Sequence, residues 1–290
     1  GETPGEIAGF IQVLLRHAVS PGVHGDCLDV CGTGGDKAGL FNVSTAVMFV
    51  ATACGARVVK HGNRGVTSPS GGADVLEALG VRLDLDARDS LEAAGCAFLF
   101  APRHHPAFKA VVPVRKFLAA EGTPTIFNIM GPLLNPALPD FQLAGVFSEN
   151  LLPVYAEVFR LLGRKHAWVV HGGGGLDEVS LLGPTKVLAT REGVIRSFSI
   201  DPTDFGLPLA DLEDLRGGTA PENAALLEDL FSGRQRGPRR DIVTLNTACA
   251  LVVAGTAPDL PAALAIANAA LDEGRAVEVL ERLRRLSAKT

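Results

Sequence analysis

The sequence predicts an α/β protein with a mostly parallel central sheet whose strands are connected by helices. From Cys27 onward, short runs of β-branched residues alternate with helical segments, which is typical of parallel strands with crossover helices. Two of these predicted strands end in glycine-rich loops that lead directly into helices. With 290 residues, 47% of them hydrophobic, the chain can form one large domain or two modest ones.

The chain begins with a predicted helix over residues Pro4 to Ala18. Thr3 suits the N-cap position and Pro4 the first turn. The apolar stripe of this helix consists of Ile7, Phe10, Ile11 and Leu14.

Each of the first two predicted strands is followed by a glycine-rich loop. Residues 28–31 lead into Gly32-Thr33-Gly34-Gly35-Asp36, and a helix opens at Asn42. Residues 58–60 lead into His61-Gly62-Asn63-Arg64 and a second loop over 68–72, before a helix from Ala73 to Leu79. Because such loops present unpaired backbone N–H groups, two of them on neighbouring strands suit one polyanionic ligand. We therefore expect a phosphorylated small molecule as the ligand. The first loop matches neither a Walker motif nor a dinucleotide fingerprint.

The alternation pauses between His104 and Pro136, where residues 113–120 look helical. Strands are predicted at 142–147, 167–170 and 186–190, and a turn at 191–193 should join the last of these to 194–200 in a hairpin. The last third of the chain is mainly helical, with helices expected over 221–231, 241–253 and 260–286. The basic segment 232–240 between them is interpreted as a solvated loop rather than a ligand site.

Composition excludes several classes of protein. The net charge of −5 and the pI near 5.8 argue against bulk nucleic-acid binding. No segment is long and apolar enough to span a membrane, and no signal peptide is visible. The five cysteines show no metal-binding spacing, so we expect buried free thiols and a cytoplasmic location.

Three carboxylates follow predicted strands and require partners. Asp36 ends the first glycine-rich loop, where a carboxylate beside a phosphate needs a metal, a sugar hydroxyl or a cation. Asp177 and Glu178 follow four glycines, and this pair predicts either a Mg²⁺ site or a solvated turn. Asn42 and Ser44 offer side-chain donors or a metal-facing hydroxyl at the start of the helix.

Cationic groups cluster in two places. Lys60, His61 and Arg64 follow a buried strand without a neighbouring counter-charge, so we expect them to bind a ligand at the carboxyl edge of the sheet. His104, His105 and Arg115 share the polar segment that interrupts the alternation. Arg115 either pairs with a substrate carboxylate or lies on a helix surface, and the residues alone leave both interpretations open.

Taken together and in this order, the motifs resemble the anthranilate phosphoribosyltransferase family over almost the whole chain. The resemblance rests on 32–36, 42–45, 60–64, 113–115, 127–128 with 131–133, 175–178 and 216–218. It implies a nucleoside phosphorylase/phosphoribosyltransferase-like fold with a small helical lobe (1–23 and 104–132) and a larger α/β lobe (24–103 and 133–290). The implied reaction joins anthranilate to phosphoribosyl pyrophosphate (PRPP) with Mg²⁺ in tryptophan biosynthesis.

The same resemblance implies roles for individual residues. PRPP would be held by Gly32, Gly34, Gly35, Asp36, Asn42, Ser44, Thr45 and Lys60. Anthranilate would contact Gly32, His61, Asn63, His105, Arg115 and Pro132. The Mg²⁺ ligands would be Ser44, Asp177 and Glu178. No protein nucleophile or general base is implied, so catalysis would be electrostatic and positional.

The family also carries helices ahead of the position of Gly1, and with them the resemblance implies a homodimer through the helical lobe. It implies neither a nucleic-acid nor a membrane partner. Leu40 replaces a common threonine, and the connection 119–124 is longer than usual and lacks a common arginine. A pyrimidine nucleoside phosphorylase and a non-catalytic nucleic-acid-binding relative are the alternatives, but the acidic pair at 177–178 and the segment 60–64 favour the transferase.

Overall fold

A central sheet organises the computed structural model, which describes residues 1–65, 69–111, 113–114, 117–118, 121, 123 and 125–289. In this part of the chain the strands are β1 (Gly25–Gly32), β2 (Val58–Gly62), β3 (Cys96–Phe100), β4 (Pro139–Gly145), β5 (His166–His171), β6 (Thr185–Arg191) and β7 (Val194–Ile200). They lie in the order β3-β2-β1-β4-β5-β6-β7. Pairing is parallel from β3 to β5 and antiparallel from β5 to β7, which confirms the predicted mostly parallel α/β sheet.

Helices cover both faces of this sheet. The α-helices of four or more consecutive described residues are α1 (Pro4–Arg16), α2 (Val43–Ala53), α3 (Gly72–Ala78), α4 (Ala87–Ala94), α5 (Ala101–His104), α6 (Leu151–Leu161), α7 (Ala220–Phe231), α8 (Pro238–Val253), α9 (Leu260–Asp272) and α10 (Arg275–Lys289). Among the described helices, none combines the length and the apolar character needed to cross a bilayer. The cysteines are free, and all but the half-buried Cys54 are buried, as predicted.

Helix α1 begins as the sequence predicts. The Thr3 hydroxyl accepts a hydrogen bond from the backbone N–H of Glu6 at 3.3 Å, and the Glu6 carboxylate accepts one from the backbone N–H of Thr3 at 2.8 Å. Ile7 and Ile11 are buried against α6, but the predicted stripe is too wide, since Phe10 is 39% exposed.

The C-terminal helix predicted over 260–286 is wrong as a single element. The chain forms α9 and α10 instead, separated at Glu273 and Gly274. Gly274 has a φ of 68°, a left-handed conformation that ends a helix and that glycine adopts without a steric cost. The predicted hairpin is confirmed, with Arg191 paired to Val194 across the turn.

The helix predicted over 113–120 is only partly described. Residues 113, 114, 117 and 118 are helical. Arg115 and most of the connection 119–124 lie outside the described residues.

Successive residues of the inner strands alternate between two cores. Leu28 and Val30 of β1 point into a large apolar cluster shared with α2 and α8, whereas Cys31 points into a second cluster with α1 and α6. Because β1 and β2 are neighbours, with Leu28 beside Val58, the two glycine-rich loops start at the same edge of the sheet. This carboxyl edge is where open α/β sheets bind ligands.

Candidate active site

The acidic pair lies directly against the first glycine-rich loop. Asp177 follows β5 through a short turn over Gly173–Gly175, and its side chain is buried. Its Oδ2 accepts a hydrogen bond from the backbone N–H of Gly34 at 2.6 Å. A Cβ at Gly32 would lie 2.3 Å from the same oxygen, so glycine is required there to admit the carboxylate.

A second glycine, which the sequence did not single out, makes room for the backbone of the pair. Gly145 ends β4 beside Gly32 of β1. A Cβ at Gly145 would lie 1.6 Å from the carbonyl oxygen of Asp177. Gly32 and Gly145, at the ends of β1 and β4, therefore form a surface that has no side chains, and Asp177 lies against this surface.

Burial makes negative charge at this pair costly. It raises the pKa of Asp177 to about 7, with a further contribution from the neighbouring Asp36 and an opposing one from the Gly34 N–H. Burial and the adjacent Asp177 raise the pKa of Glu178 well above its usual range, although Lys60 opposes this shift. Asp177 is buried rather than solvated, unlike in the solvated turn considered for this pair.

The donor chemistry of the pair suits a hard cation. Carboxylate and hydroxyl oxygens are the ligands that Mg²⁺ prefers, and a cation would offset the charge that burial disfavours. Within the described residues, no three His, Cys, Asp or Glu side chains are grouped so as to hold a metal unaided. An ion at this place would therefore complete its coordination with oxygens of a ligand and with water.

Lys60 supplies a fixed positive charge beside this pair. Its side chain is buried, and Nζ donates to the carbonyl oxygen of Val30 at 2.5 Å and to the hydroxyl of Ser44 at 3.1 Å. Ser44 lies in the first turn of α2 and lines the same small cavity as Glu178. The structure therefore brings Ser44, Lys60 and the acidic pair together.

Asn42 connects the two glycine-rich loops. Its amide Nδ2 donates to the carbonyl oxygen of Ser70 at 3.2 Å, and its Oδ1 accepts from Nδ2 of Asn223 at 2.9 Å. Asn223 belongs to α7 and is buried, and no local sequence signal distinguished it. The predicted Thr45 is buried beside Gly72 of the second loop, where an added Cβ would lie 3.0 Å from its hydroxyl.

Two histidines lie on the opposite face of the sheet from Lys60. Nδ1 of His61 is 3.3 Å from the carbonyl oxygen of Gly131, and Nε2 of His105 is 2.8 Å from that of Leu134. Because a carbonyl only accepts, each of these nitrogens carries the proton. Their rings meet edge to face with centroids 5.2 Å apart. Pro132, which follows Gly131 in the chain, is buried.

The histidine pair is neutral at physiological pH. Burial lowers the pKa of His61 to about 3, with a contribution from His105, and burial also lowers the pKa of His105. Nε2 of His61 is buried without a hydrogen-bond partner in the described part of the chain. This nitrogen is a free acceptor on the side of the site away from the acidic pair.

We expect the contribution of His61 to the free energy of unfolding to fall as the pH drops from 8 to 5. In the unfolded chain His61 binds a proton near pH 6.5, but in the folded protein only near pH 3. At this group the unfolded state therefore binds more protons between these values, so the contribution of His61 to stability rises with pH and costs about 2 kcal/mol at pH 5. Asp177, with its pKa raised to about 7, contributes in the opposite direction, so the His61 effect is the difference between the parent and a His61→Gln variant. Urea unfolding at both pH values measures the slope. His61→Gln keeps a donor for Gly131 but does not titrate, and a slope unchanged in this variant would contradict the assignment.

Other predicted residues lie at the rim. Asn63 is exposed, and its Oδ1 accepts from the N–H of Arg64 at 2.8 Å. Gly35 and Asp36 continue the first loop, where the Asp36 carboxylate accepts from the N–H of Ala38 at 3.1 Å. The expectation that Arg64 lacks a counter-charge is wrong, since it forms ion pairs with Asp74 and Glu77.

Comparison with known proteins identifies the family. The family model described as glycosyl transferase family, a/b domain, matches residues 24–277. The anthranilate phosphoribosyltransferase of Rhodospirillum rubrum is 49% identical over 98% of this chain and 81% of its own length. The crystal structure of the Thermus thermophilus enzyme has a TM-score of 0.92 and 41% identity, covering 99% of this chain and 86% of that one.

The enzyme of Saccharomyces cerevisiae was solved in complex with PRPP and Mg. It has a TM-score of 0.87 and 30% identity, covering 99% of this chain and 81% of that one. These similarities extend over nearly all of the chain and include the strands and loops that form the site. The chain therefore belongs to the anthranilate phosphoribosyltransferase family.

Proposed function

We propose that this chain transfers the phosphoribosyl group of PRPP to the amine of anthranilate in tryptophan biosynthesis. The observation that supports this most strongly is the acidic pair, the buried Asp177 and the half-buried Glu178, placed against a glycine-rich loop and beside Lys60 and Ser44. Such a site suits a polyanion together with a divalent cation. The Saccharomyces cerevisiae relative, solved with PRPP and Mg, agrees with this chemistry.

The phosphoribosyl donor would lie along the carboxyl ends of β1 and β2. Backbone N–H groups of the loop at Gly32, Gly35 and Asp36 would face the donor, and Gly34 would shape the same loop through its hydrogen bond to Asp177. Lys60 and Asn42 fix the two loops around the donor. Ser44, Asp177 and Glu178 would hold Mg²⁺. When bound, the cation neutralises the charge that develops on pyrophosphate as it leaves.

The acceptor would enter from the histidine face. The bond between the anomeric carbon and the pyrophosphate oxygen breaks, and its electron pair leaves with pyrophosphate. The anthranilate nitrogen forms the new bond and then loses a proton to solvent. Because an aromatic amine is neutral near pH 7, the neutral His61 and His105 need only orient the acceptor.

The lobe arrangement belongs to the same proposal. Residues 1–23 with 104–132 would form a helical lobe over the α/β remainder, with the site between them. A homodimer through this lobe is supported by the exposed Phe10 and Val13 on α1. The enzyme is proposed to act in the cytoplasm.

Loss of anthranilate fluorescence on mixing protein, PRPP and Mg²⁺ tests the proposal. We expect consumption that stops when the metal is chelated, with one pyrophosphate released per anthranilate consumed. No consumption by the folded protein would overturn the assignment. Phosphorolysis of thymidine or uridine, measured on the same sample, would then support a nucleoside phosphorylase.

Arg115→Ala should raise the KM for anthranilate by about 10-fold or more and leave the KM for PRPP nearly unchanged. The reason is the loss of a two-pronged contact with the substrate carboxylate, a role that the family resemblance implies for this residue. Steady-state kinetics with each substrate varied in turn measures both constants. Arg103→Ala, at an exposed arginine in the same polar segment of the sequence, is the control. Equal effects on both KM values would remove Arg115 from this role.

A further inference from the structure

The segment 129–135 is held to the rest of the protein by side chains from two strands, one helix and one loop. This segment joins the helical region to β4 and contains Pro132. Four of its carbonyl oxygens contact polar side-chain atoms, those of Ile129, Gly131, Pro132 and Leu134 with Tyr155, His61, Gln142 and His105, respectively. Side chains therefore fix the path of a segment that has little regular structure of its own.

Gln142 is the central member of this set. It is fully buried on β4, and its Nε2 donates to the carbonyl oxygen of Pro132 at 2.5 Å and to Oδ2 of Asp29 at 3.2 Å. Its Oε1 accepts from Nε of Arg164 at 3.1 Å. Both the nitrogen and the oxygen of the amide therefore form hydrogen bonds, and exchanging their positions by rotation would break these bonds.

Asp29 extends the network to the neighbouring strand. It lies beside Gln142 in the pairing of β1 with β4, and its Oδ1 accepts from the backbone N–H of His61 on β2 at 3.1 Å. Three strands are thereby connected to the segment 129–135 through fully buried polar groups. On the same face, Asn135 donates to the carbonyl oxygen of Val59 at 2.8 Å.

Stability alone does not account for a buried polar network. An apolar side chain of similar volume in place of a buried ionic or polar group is often neutral or stabilising. Hydrogen bonds, unlike apolar contacts, require one particular direction and register. The network therefore sets where Pro132 lies relative to His61 and to the end of β1.

We infer that Gln142 is a positioning residue of the transfer reaction, which fixes the acceptor side of the site against the strand that carries the donor loop. This inference rests on the proposed function, because it assigns anthranilate to the side of Pro132 and His61. Removing the amide leaves β1, its loop and Lys60 in place, since backbone pairing holds them. Anthranilate positioning should therefore suffer, and PRPP binding should not.

Gln142→Met tests the inference, because methionine has a similar volume and cannot make these hydrogen bonds. We expect the KM for anthranilate to rise about 10-fold and kcat to fall, with the KM for PRPP within about 2-fold of the parent value. Thr190→Val is the matched control, since Thr190 is also fully buried on the sheet and donates to the carbonyl oxygen of Ala156 at 3.0 Å, away from the site. Equal changes in both KM values, or none, would overturn the inference.

Hydrogen exchange gives a second measurement that does not depend on activity. The N–H groups of Leu133 and Leu134 are bonded within the segment, to Met130 and Gly131. Their exchange should accelerate in Gln142→Met and not in Thr190→Val. Unchanged exchange refutes the positioning role whatever the reaction. If exchange is faster in Gln142→Met but the parent protein does not consume anthranilate, only the proposed function is refuted.

If Gln142→Met does not fold, Tyr155→Phe decides the question. The Tyr155 hydroxyl donates to the carbonyl oxygen of Ile129 at the other end of the segment, and phenylalanine preserves the ring. We expect the same selective rise in the KM for anthranilate, of about 3-fold. A folded Tyr155→Phe enzyme with parental constants and parental exchange would refute the inference.

Discussion

Glu178→Gln should lower kcat by a factor on the order of 10² to 10³ and at the same time raise the melting temperature of the metal-free protein. Burial and the neighbouring Asp177 raise the pKa of this carboxyl group, so its ionised form destabilises the fold. Glutamine has the same shape without the charge. A residue that costs stability and is needed for turnover has a functional rather than a structural role.

Two assays at a fixed pH of 8 measure this result. Thermal unfolding compares stability without metal, and anthranilate consumption at increasing Mg²⁺ gives kcat and the concentration for half activation. The half-activating concentration should rise about 10-fold or more because one oxygen ligand is weakened. Glu213→Gln is the control, since this glutamate is exposed and pairs with Arg216.

Two outcomes would contradict the expectation for Glu178. A variant with activity within threefold of the parent would show that the carboxylate is not a metal ligand. A variant that lost activity and also melted at a lower temperature would show that the charge supports the fold. Only the combination of lower turnover and higher stability matches the electrostatics of the site.

The architecture was predictable because it follows local rules. The spacing of apolar residues predicted which segments are strands and which are helices, and the glycines predicted where they end. These two signals were enough to predict the sheet, the neighbouring glycine-rich loops and the hairpin between β6 and β7. The break between α9 and α10 was missed because the residues on both sides of it are good helix formers. Gly274 ends the first of the two helices because its backbone adopts a left-handed conformation.

The site residues that follow the strand ends were easier to predict than the residues within the strands that support them. Gly32, Ser44, Lys60 and the acidic pair stand out because polar or glycine residues follow apolar strands. Asp29 and Gln142 lie within strands, where a single polar residue gives no indication of its partner 113 positions away. Arg64 shows the converse, since its counter-charges at Asp74 and Glu77 come from the following helix.

Among the glycines whose surroundings the structure describes, Gly145 is the one at which an added methyl group should be most damaging. The added Cβ would lie 1.6 Å from the carbonyl oxygen and 2.2 Å from the carbonyl carbon of Asp177. These are backbone atoms, which cannot rotate away as a side chain can. Either the end of β4 or the segment at Asp177 must move, and we expect a loss of about 3 kcal/mol or more in unfolding free energy.

The same displacement should remove activity. Gly145 pairs with Gly32, and its carbonyl oxygen accepts from the N–H of Thr33 at 3.0 Å, so it also fixes the start of the donor loop. Gly9→Ala is the control, since Gly9 lies within α1 and an added Cβ there meets nothing within 4 Å. That change should stabilise by about 0.5–1 kcal/mol because it reduces the freedom of the unfolded chain.

Urea unfolding and the anthranilate assay on both variants test the expectation. Gly145→Ala with parental stability and turnover would mean that Asp177 does not lie against the end of β4. Loss of stability with parental turnover in the folded fraction would place Asp177 at that strand end but outside the reaction. If Gly145→Ala loses both stability and turnover while Gly9→Ala is stabilised, Gly145 contributes to the site although it carries no functional group. Its contribution is the space that it leaves for the turn that carries the Asp177 carboxylate.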